Sequence, residues 1–342
     1  LAGTGLQSAP GGTEGGHSGI TSVTDMKQQP SAITEQACNS TQASATDQHR
    51  CGFIAIAGRA NVGKSTLLNR LVDDSLSIVT HKPQTTRHKI NGILSLPAAQ
   101  LVFVDTPGLQ QRSGLALNRS MNKAVQQAVA DADVVLFMVS AGRWLAEDQL
   151  VHELLRQSRS PVLLVVNQID RMPDREQLLP WLDQHARDPL YQQVLLISAL
   201  RGDGVDVLLR SLPDYLPLSS ALYPSDQFSD RSVRFLTAEL IREQLLRRMH
   251  KELPYGMHVE IEEFDETLTP LLIGAVIWVD RESHKGMLIG KGGQNLKQIG
   301  RAARQRIEKL LDRHVHLRLW VRVQEGWADS EQLLQQCGLL SD

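Results

Sequence analysis

Apolar residues follow two different rhythms along this chain. From residue 53 onward, short apolar runs at 53–57, 90–96, 101–104, 134–139, 162–166 and 194–197 alternate with stretches of helical character. Such runs suit strands covered on both faces, and helices between them make the sheet largely parallel. A doubly wound α/β domain is therefore expected over 51–216. Residues 217–230 hold two Pro, four Ser and two Asp, and read as a linker.

Beyond the linker the rhythm changes. A helix is predicted over 234–251, with Phe235, Leu236, Leu240, Ile241 and Leu245 on one apolar face. Strands follow at 257–264 and 271–279. A Gly-rich turn at 290–293 then opens a helix at 294–311. Residues 314–323 alternate strictly, with Val315, Leu317, Leu319, Val321 and Val323 on one face and His314, His316, Arg318, Trp320 and Arg322 on the other. A last helix is expected near 329–336. The order α-β-β-α-α-β describes a small α+β domain over 231–342, separate from the first.

Composition narrows the picture. Residues 1–50 contain no Phe, Trp or Tyr, and their basic residues are Lys27 and Arg50. That stretch is expected to be a disordered extension or an overextended gene start, without the marks of a secretory or transit peptide. The longest apolar runs fall well short of the about 20 residues that cross a bilayer. A soluble or at most peripheral protein is expected. The net charge of -2 means that any nucleic-acid affinity must come from local clusters. Cys38, Cys51 and Cys337 form no CxxC pair, which argues against a disulfide framework or zinc site and for a reducing compartment.

Candidate chemistry begins at Gly58-Arg59-Ala60-Asn61-Val62-Gly63-Lys64-Ser65, which fits G-x-x-x-x-G-K-S/T between a strand and a helix. Backbone N–H groups there can cradle phosphates at a helix N-terminus, with Thr66 next in the helix. Lys64 is expected to reach the β and γ phosphates and Ser65 to bind Mg²⁺. This loop alone leaves ATP and GTP open. Asp105-Thr106-Pro107-Gly108 fits DxxG, with Asp105 in the Mg²⁺ shell and the Gly108 N–H on the γ-phosphate; Leu109 follows. By itself DxxG is weak, with roughly one chance match per chain of this length.

Asn167-Gln168-Ile169-Asp170 stands where N-K-x-D would confer guanine specificity. A carboxylate at Asp170 accepts both N1–H and the N2 amino group of guanine, a pattern adenine lacks. Gln168 replaces the usual Lys, which predicts weaker or faster-exchanging nucleotide. Ser198-Ala199-Leu200 ends the next strand and offers a backbone N–H to guanine O6.

In the second domain, Gly290-Lys291-Gly292-Gly293 fits the G-x-x-G loop of KH domains. The tail also matches G-x-x-G twice, at 12–15 and 16–19, so the surrounding α-β-β-α-α-β order carries the assignment. Residues 281–322 hold 11 Lys/Arg against three acidic residues, and 252–266 hold six acidic and no basic ones. A basic face for RNA phosphate is the first reading, with Lys297 and Arg301 beside the loop. Anionic lipid is a second reading. Lys297, Arg301 and Arg304 also suit a solvated helix face, and His316, Arg318 and Trp320 suit either RNA contact or an exposed strand.

N-V-G-K-S-T-L-L-N (61–69), Q-T-T-R-H (84–88) and D-T-P-G-L (105–109) resemble the Era branch of translation-factor-related GTPases. So do Tyr223-Pro224, Asp230-Arg231, Arg234-Phe235, Glu239, Ile241-Arg242-Glu243 and Glu252-Leu253-Pro254-Tyr255. The likeness runs over residues 50–340 or so. It implies a P-loop GTPase domain followed by a type II KH domain. It also implies that Thr86, more than Thr85, closes on Mg²⁺ and the γ-phosphate, and that Asn61 helps hold K⁺. Leu109 stands where other GTPases carry a water-orienting Gln, with Gln110 adjacent but out of register, so slow hydrolysis is implied. The implied partner is single-stranded sequence near the 3′ end of small-subunit (16S) ribosomal RNA. The implied role is GTP-gated 30S assembly and rRNA maturation by a monomer in the bacterial cytoplasm. A peripheral inner-membrane GTPase and a non-hydrolysing GTP-gated module are the alternatives.

Overall fold

The computed structural model describes residues 49–72, 76–79, 86, 90–109, 116–172, 176, 178–249, 257–326, 330 and 335. Gln84, Thr85, Gln110, the Glu252-Leu253-Pro254-Tyr255 motif, the extension up to residue 48 and the expected helix at 329–336 (Ser330 and Gln335 apart) lie outside them.

The first unit runs β1 (Arg50–Ala57), α1 (Lys64–Leu71), β2 (Ile90–Leu96), β3 (Ala99–Asp105), α2 (Ala116–Asp131), β4 (Val134–Ser140), α3 (Ala146–Leu155), β5 (Val162–Asn167), α4 (Leu178–His185), β6 (Tyr191–Leu196) and α5 (Val205–Ser211). Its six strands lie in the order β2-β3-β1-β4-β5-β6, parallel except for β2 against β3. Every residue of β3, β4 and β5 is buried, because apolar side chains feed a core on each face of the sheet. The chain leaves β3 on one side of β1 and re-enters as β4 on the other. Loops at the carboxyl ends of these strands therefore share one crevice, as in other doubly wound sheets.

The sheet begins earlier than its apolar run. Arg50 and Cys51 already pair with Ala99 and Gln100, and Arg50 Nη1 donates to Leu216 O at 2.5 Å. Neither residue belongs to an apolar pattern, so tertiary pairing sets this boundary.

Residues 217–230 are bound to the sheet rather than free of it. The Gln100 side chain, 1% exposed, accepts from the N–H groups of Leu222 (2.8 Å) and Tyr223 (2.9 Å) and donates to Tyr223 O (2.8 Å). Further on, Ile93 N donates to Phe228 O, Ser229 Oγ to Asn91 O, and Asn91 N to Asp230 Oδ1.

The second unit comprises α6 (Val233–Arg248), β7 (Met257–Asp265), β8 (Leu271–Val279), α7 (Glu282–Ile289), α8 (Gln294–Leu311) and β9 (Val315–Val323). β8 runs antiparallel to β7 and parallel to β9. The expected single apolar face of α6 needs correction, since Thr237, Glu239, Arg242, Glu243 and Gln244 are buried along with its leucines. Their charges are met inside. Arg242 grips Glu239 with two bonds of 2.7 Å, and Glu243 accepts from Arg247 at 2.8 Å and faces Arg306 of α8 at 3.6 Å. Bidentate pairing of this kind compensates desolvation that a lone charge would not survive.

Gln100→Ala is expected to cost about 2–3 kcal/mol, because three backbone groups of 222–223 lose a buried partner. A lower urea midpoint and faster limited proteolysis within 217–230 would show it. Unchanged cleavage of the folded protein would mean that the latch lies elsewhere.

Candidate functional site

β1 ends at Ala57 and the chain turns through 58–63, with Asn61 at φ 64°, into α1. Lys64 is 6% exposed and donates to Gly58 O and Arg59 O, both at 3.0 Å. Burial pulls its ammonium down to about 8, against the opposing pull of Asp105. An ammonium has three donors, so one remains for an anion at the loop.

Asp105, at the end of β3, has no exposed surface. Its Oδ2 accepts from Ser65 Oγ (2.9 Å), Ser77 Oγ (2.9 Å) and Thr86 Oγ1 (3.3 Å), and the Ser65 and Thr86 oxygens lie 2.9 Å apart. Its Oδ1 is buried without a hydrogen-bond partner. Burial pushes the carboxyl above the usual range, while Lys64 and the hydroxyls pull it back. One orphan carboxylate oxygen and a cluster of hydroxyls form a hard oxygen set of the kind Mg²⁺ takes. Ser65, Thr86 and Asp105 thus fit the metal read from the sequence. Ser77 was not anticipated. Asn69, the last residue of the N-V-G-K-S-T-L-L-N run, clamps it by donating to Ser77 O (2.7 Å) and accepting from Ser77 N (2.8 Å).

Thr106 Oγ1 donates to Ile56 O at 2.8 Å, and Pro107 is buried. A Cβ at Gly108 would lie 2.7 Å from Ala60 N, so this turn can abut the P-loop only with glycine. Arg59 and Leu109 pair there as an isolated parallel bridge, and the Leu109 side chain packs on the apolar cluster around Phe137. Thr66 is half-buried in the first turn of α1, and Val62 is fully buried.

At the end of β5, Asn167 joins two loops. Its Nδ2 donates to Val62 O (2.7 Å) and its Oδ1 accepts from Ala199 N (2.9 Å). The N–H expected to face guanine O6 is therefore already engaged within the protein. Gln168, at φ 67°, donates from Nε2 to Asn61 O at 3.1 Å. The replacement of Lys keeps a tie to the P-loop but makes it neutral. Ser198 donates to Asp170 Oδ1 at 2.6 Å. Arg70, missed in the sequence, supports this corner through Ala199 O (3.2 Å) and Leu200 O (2.5 Å).

Arg59 occupies a P-loop position, yet its side chain turns away from the loop's concave side. Nε donates to Asp148 Oδ2 (2.9 Å) and Nη2 to Ser140 Oγ (3.0 Å). Asp148 has no exposed surface and also accepts from Leu145 N at 3.0 Å. Burial pushes its carboxyl upward, while the Leu145 N–H and Arg59 draw it down. Asp148 sits in no motif, and only the fold brings it behind the P-loop.

In the second unit, residues 290–293 turn α7 into α8, with Gly290, Gly292 and Gly293 at φ 70°, 59° and 76°. Lys291 and Gly292 are exposed, and α8 begins there without a side-chain cap, the Gly293 N–H being taken by Gly290 O at 3.2 Å and the Gln294 N–H by Lys291 O. A groove of about 500 Å³ continues from Gly293, with Lys297, Arg301 and Arg304 of α8 on one wall and Leu317 and Leu319 of β9 on the other. Arg304 joins the two cations chosen from the sequence. His316, Arg318 and Trp320 fall on the opposite face of β9 by the two-residue period, so they do not share this groove.

A family model described as "50S ribosome-binding GTPase" matches residues 53–168, and a KH domain model matches 252–328. The GTPase Era of Xanthomonas axonopodis pv. citri (strain 306) is 47% identical over 293 residues, which cover 86% of this chain and 98% of that protein. The chain belongs to the Era family of GTPases. GTPase Era of Stenotrophomonas maltophilia (strain R551-3) is likewise 47% identical, over 85% of this chain and 97% of its own length. Among solved structures, Era in complex with MgGDPNP and nucleotides 1506–1542 of 16S ribosomal RNA is 36% identical, with TM-score 0.82, 86% of this chain covered and 100% of that one. An Aquifex aeolicus Era variant bound to GDP and AlF4⁻ gives TM-score 0.81 at 36% identity, over 85% of this chain and 100% of that one. This Era-family chain is accordingly a GTPase: a guanine-nucleotide-binding P-loop domain followed by a KH domain. Among the described residues, no helix is long and apolar enough to cross a membrane.

Asp148→Ala is expected to destabilise the first domain by about 3–5 kcal/mol, because the Arg59 guanidinium is left buried without its carboxylate. Urea unfolding of the nucleotide-free protein measures it. A loss below 1 kcal/mol or so would mean that solvent reaches Arg59 once the carboxylate is gone.

Proposed function

We propose that this chain is a slow, GTP-gated binder of single-stranded RNA near the 3′ end of small-subunit ribosomal RNA, assisting 30S assembly and rRNA maturation. What carries the reading is the pairing, in one chain, of the closed Asp105–Ser65–Thr86 cluster with the basic groove on α8. The 36%-identical Era structure that holds MgGDPNP and 16S rRNA nucleotides supports it.

In this reading the backbone of 58–65 cradles the phosphates, the third donor of Lys64 reaches the β and γ phosphates, and the Gly108 N–H meets the γ-phosphate. Ser65, Thr86 and Asp105 would hold Mg²⁺, which when bound would supply charge neutralisation to the phosphates. Asp170 reads the guanine edge, with Asn167, Gln168, Ser198 and Ala199 shaping its pocket. An O6 acceptor would share or displace the Ala199 N–H bond to Asn167. Leu109, half-buried against the apolar cluster around Phe137, has no group to orient water, so hydrolysis is slow without a partner. Asn61 contributes to a K⁺ site beside the phosphates. RNA follows the turn at 290–293 and the cations Lys291, Lys297, Arg301 and Arg304. The protein acts as a cytoplasmic monomer, and contact with the inner membrane is secondary to RNA.

The RNA test uses Lys291→Asp combined with Gly292→Asp. Gly290 is the wrong target, because a Cβ there would lie 2.8 Å from Asn295 Cβ, whereas Gly292 faces open space and its φ of 59° is a left-handed conformation that Asp tolerates better than most side chains. Affinity for a labelled 16S 3′-end oligonucleotide is expected to fall at least about tenfold as a phosphate-facing cation becomes an anion. GTP affinity should not change. RNA binding that survives both substitutions, or that anionic vesicles displace, would remove the RNA half of the proposal.

Turnover should be faster in K⁺ than in Na⁺ at equal ionic strength. Equal rates would eliminate the K⁺ site.

A further inference from the structure

We infer that Ser77 is a positioning residue of the Mg²⁺ shell, locked by Asn69 so that its hydroxyl holds the Asp105 carboxylate in the orientation the metal requires. The inference rests on the proposed role of Asp105 in binding Mg²⁺.

Three hydroxyls converge on Asp105 Oδ2, but they are not equivalent. The oxygens of Ser65 and Thr86 are the ones assigned to the ion, so their positions answer to metal and nucleotide. Ser77 is held by the protein. Its N–H and C=O are both taken by the one Asn69 carboxamide, at 2.8 and 2.7 Å. Asn69 lies one helical turn beyond Ser65 on α1, so clamp and P-loop share a rigid element. Leu76 and Ile78, on either side, are 2% and 4% exposed and anchor the segment in the core. Ser77 itself is 3% exposed, so water does not replace its bond to Asp105.

The consequence is geometric. A carboxylate can rotate about its last torsion, and that torsion is broad. A fixed donor on Oδ2 leaves Oδ1, buried and without a protein partner, as the oxygen free for the ion's coordination sphere. Without Ser77 the carboxylate keeps two donors, Ser65 and Thr86, whose oxygens are themselves the ones assigned to the ion.

The test is release of a fluorescent GDP analogue from the full chain across a series of free Mg²⁺ concentrations. For Ser77→Ala, the Mg²⁺ concentration giving half-maximal retention should rise about tenfold, the loss expected for one hydrogen bond to a charged group. Release in excess EDTA should match the unsubstituted protein. Asn69→Ala, which loosens the clamp and keeps the hydroxyl, should shift the same midpoint in the same direction by a smaller factor, and it serves if Ser77→Ala does not fold. Equal acceleration with and without Mg²⁺ would assign Ser77 a purely structural role and overturn the inference. So would a midpoint that does not move. If release from the unsubstituted protein ignores Mg²⁺, the underlying reading of Asp105 fails instead.

Discussion

Burial of the Asp105 carboxylate governs the nucleotide half of this protein. A charge with no exposed surface needs donors from its surroundings, since an unpaired one costs several kcal/mol. The donors come from separate stretches of chain: Ser65 at the start of α1, Ser77 beyond its end, and Thr86 ahead of β2. Lys64 adds its field from the P-loop. Satisfying one carboxylate therefore draws these segments to one point at the carboxyl edge of the sheet. Arg59 and Asp148 repeat the principle behind the loop. Both charge clusters rest on strands whose side chains are entirely buried, where low local polarity strengthens each contact.

The second domain solves a different problem. Its groove is open, with cations projecting from α8 into solvent and apolar residues of β9 forming the far wall. Charge that must be hidden is confined to α6, where Glu239 and Arg242 neutralise one another and Glu243 reaches across to Arg306. The two domains are joined by backbone that is itself paired to β2 and β3. The strand that follows Thr86 carries, at Asn91 and Ile93, the hydrogen bonds to residues 228–230 just ahead of α6. One strand thus borders both the Asp105 cluster and the entry to the KH domain.

Much of this was legible beforehand because the informative signals are local. A P-loop is a statement about consecutive backbone N–H groups, Gly108 about one close approach, and β9 about alternation along nine residues. Each is written in neighbouring letters. The boundary at Arg50, the latch on Gln100 and the buried polar flank of α6 were not legible, because hydropathy assigns polar residues to solvent until a partner is known.

By itself, then, the sequence determined two domains of α/β and α+β type, the phosphate loop, guanine as the base, and a basic G-x-x-G segment. Tertiary structure alone decided where the side chains of those motifs point. It turned Arg59 toward Asp148, gave Asn61 O to Gln168 and the Ala199 N–H to Asn167, and brought Ser77 to Asp105. The reason is physical. Each of these contacts satisfies a buried or half-buried polar group with a partner distant in the chain, and no stretch of sequence contains both halves of the bond.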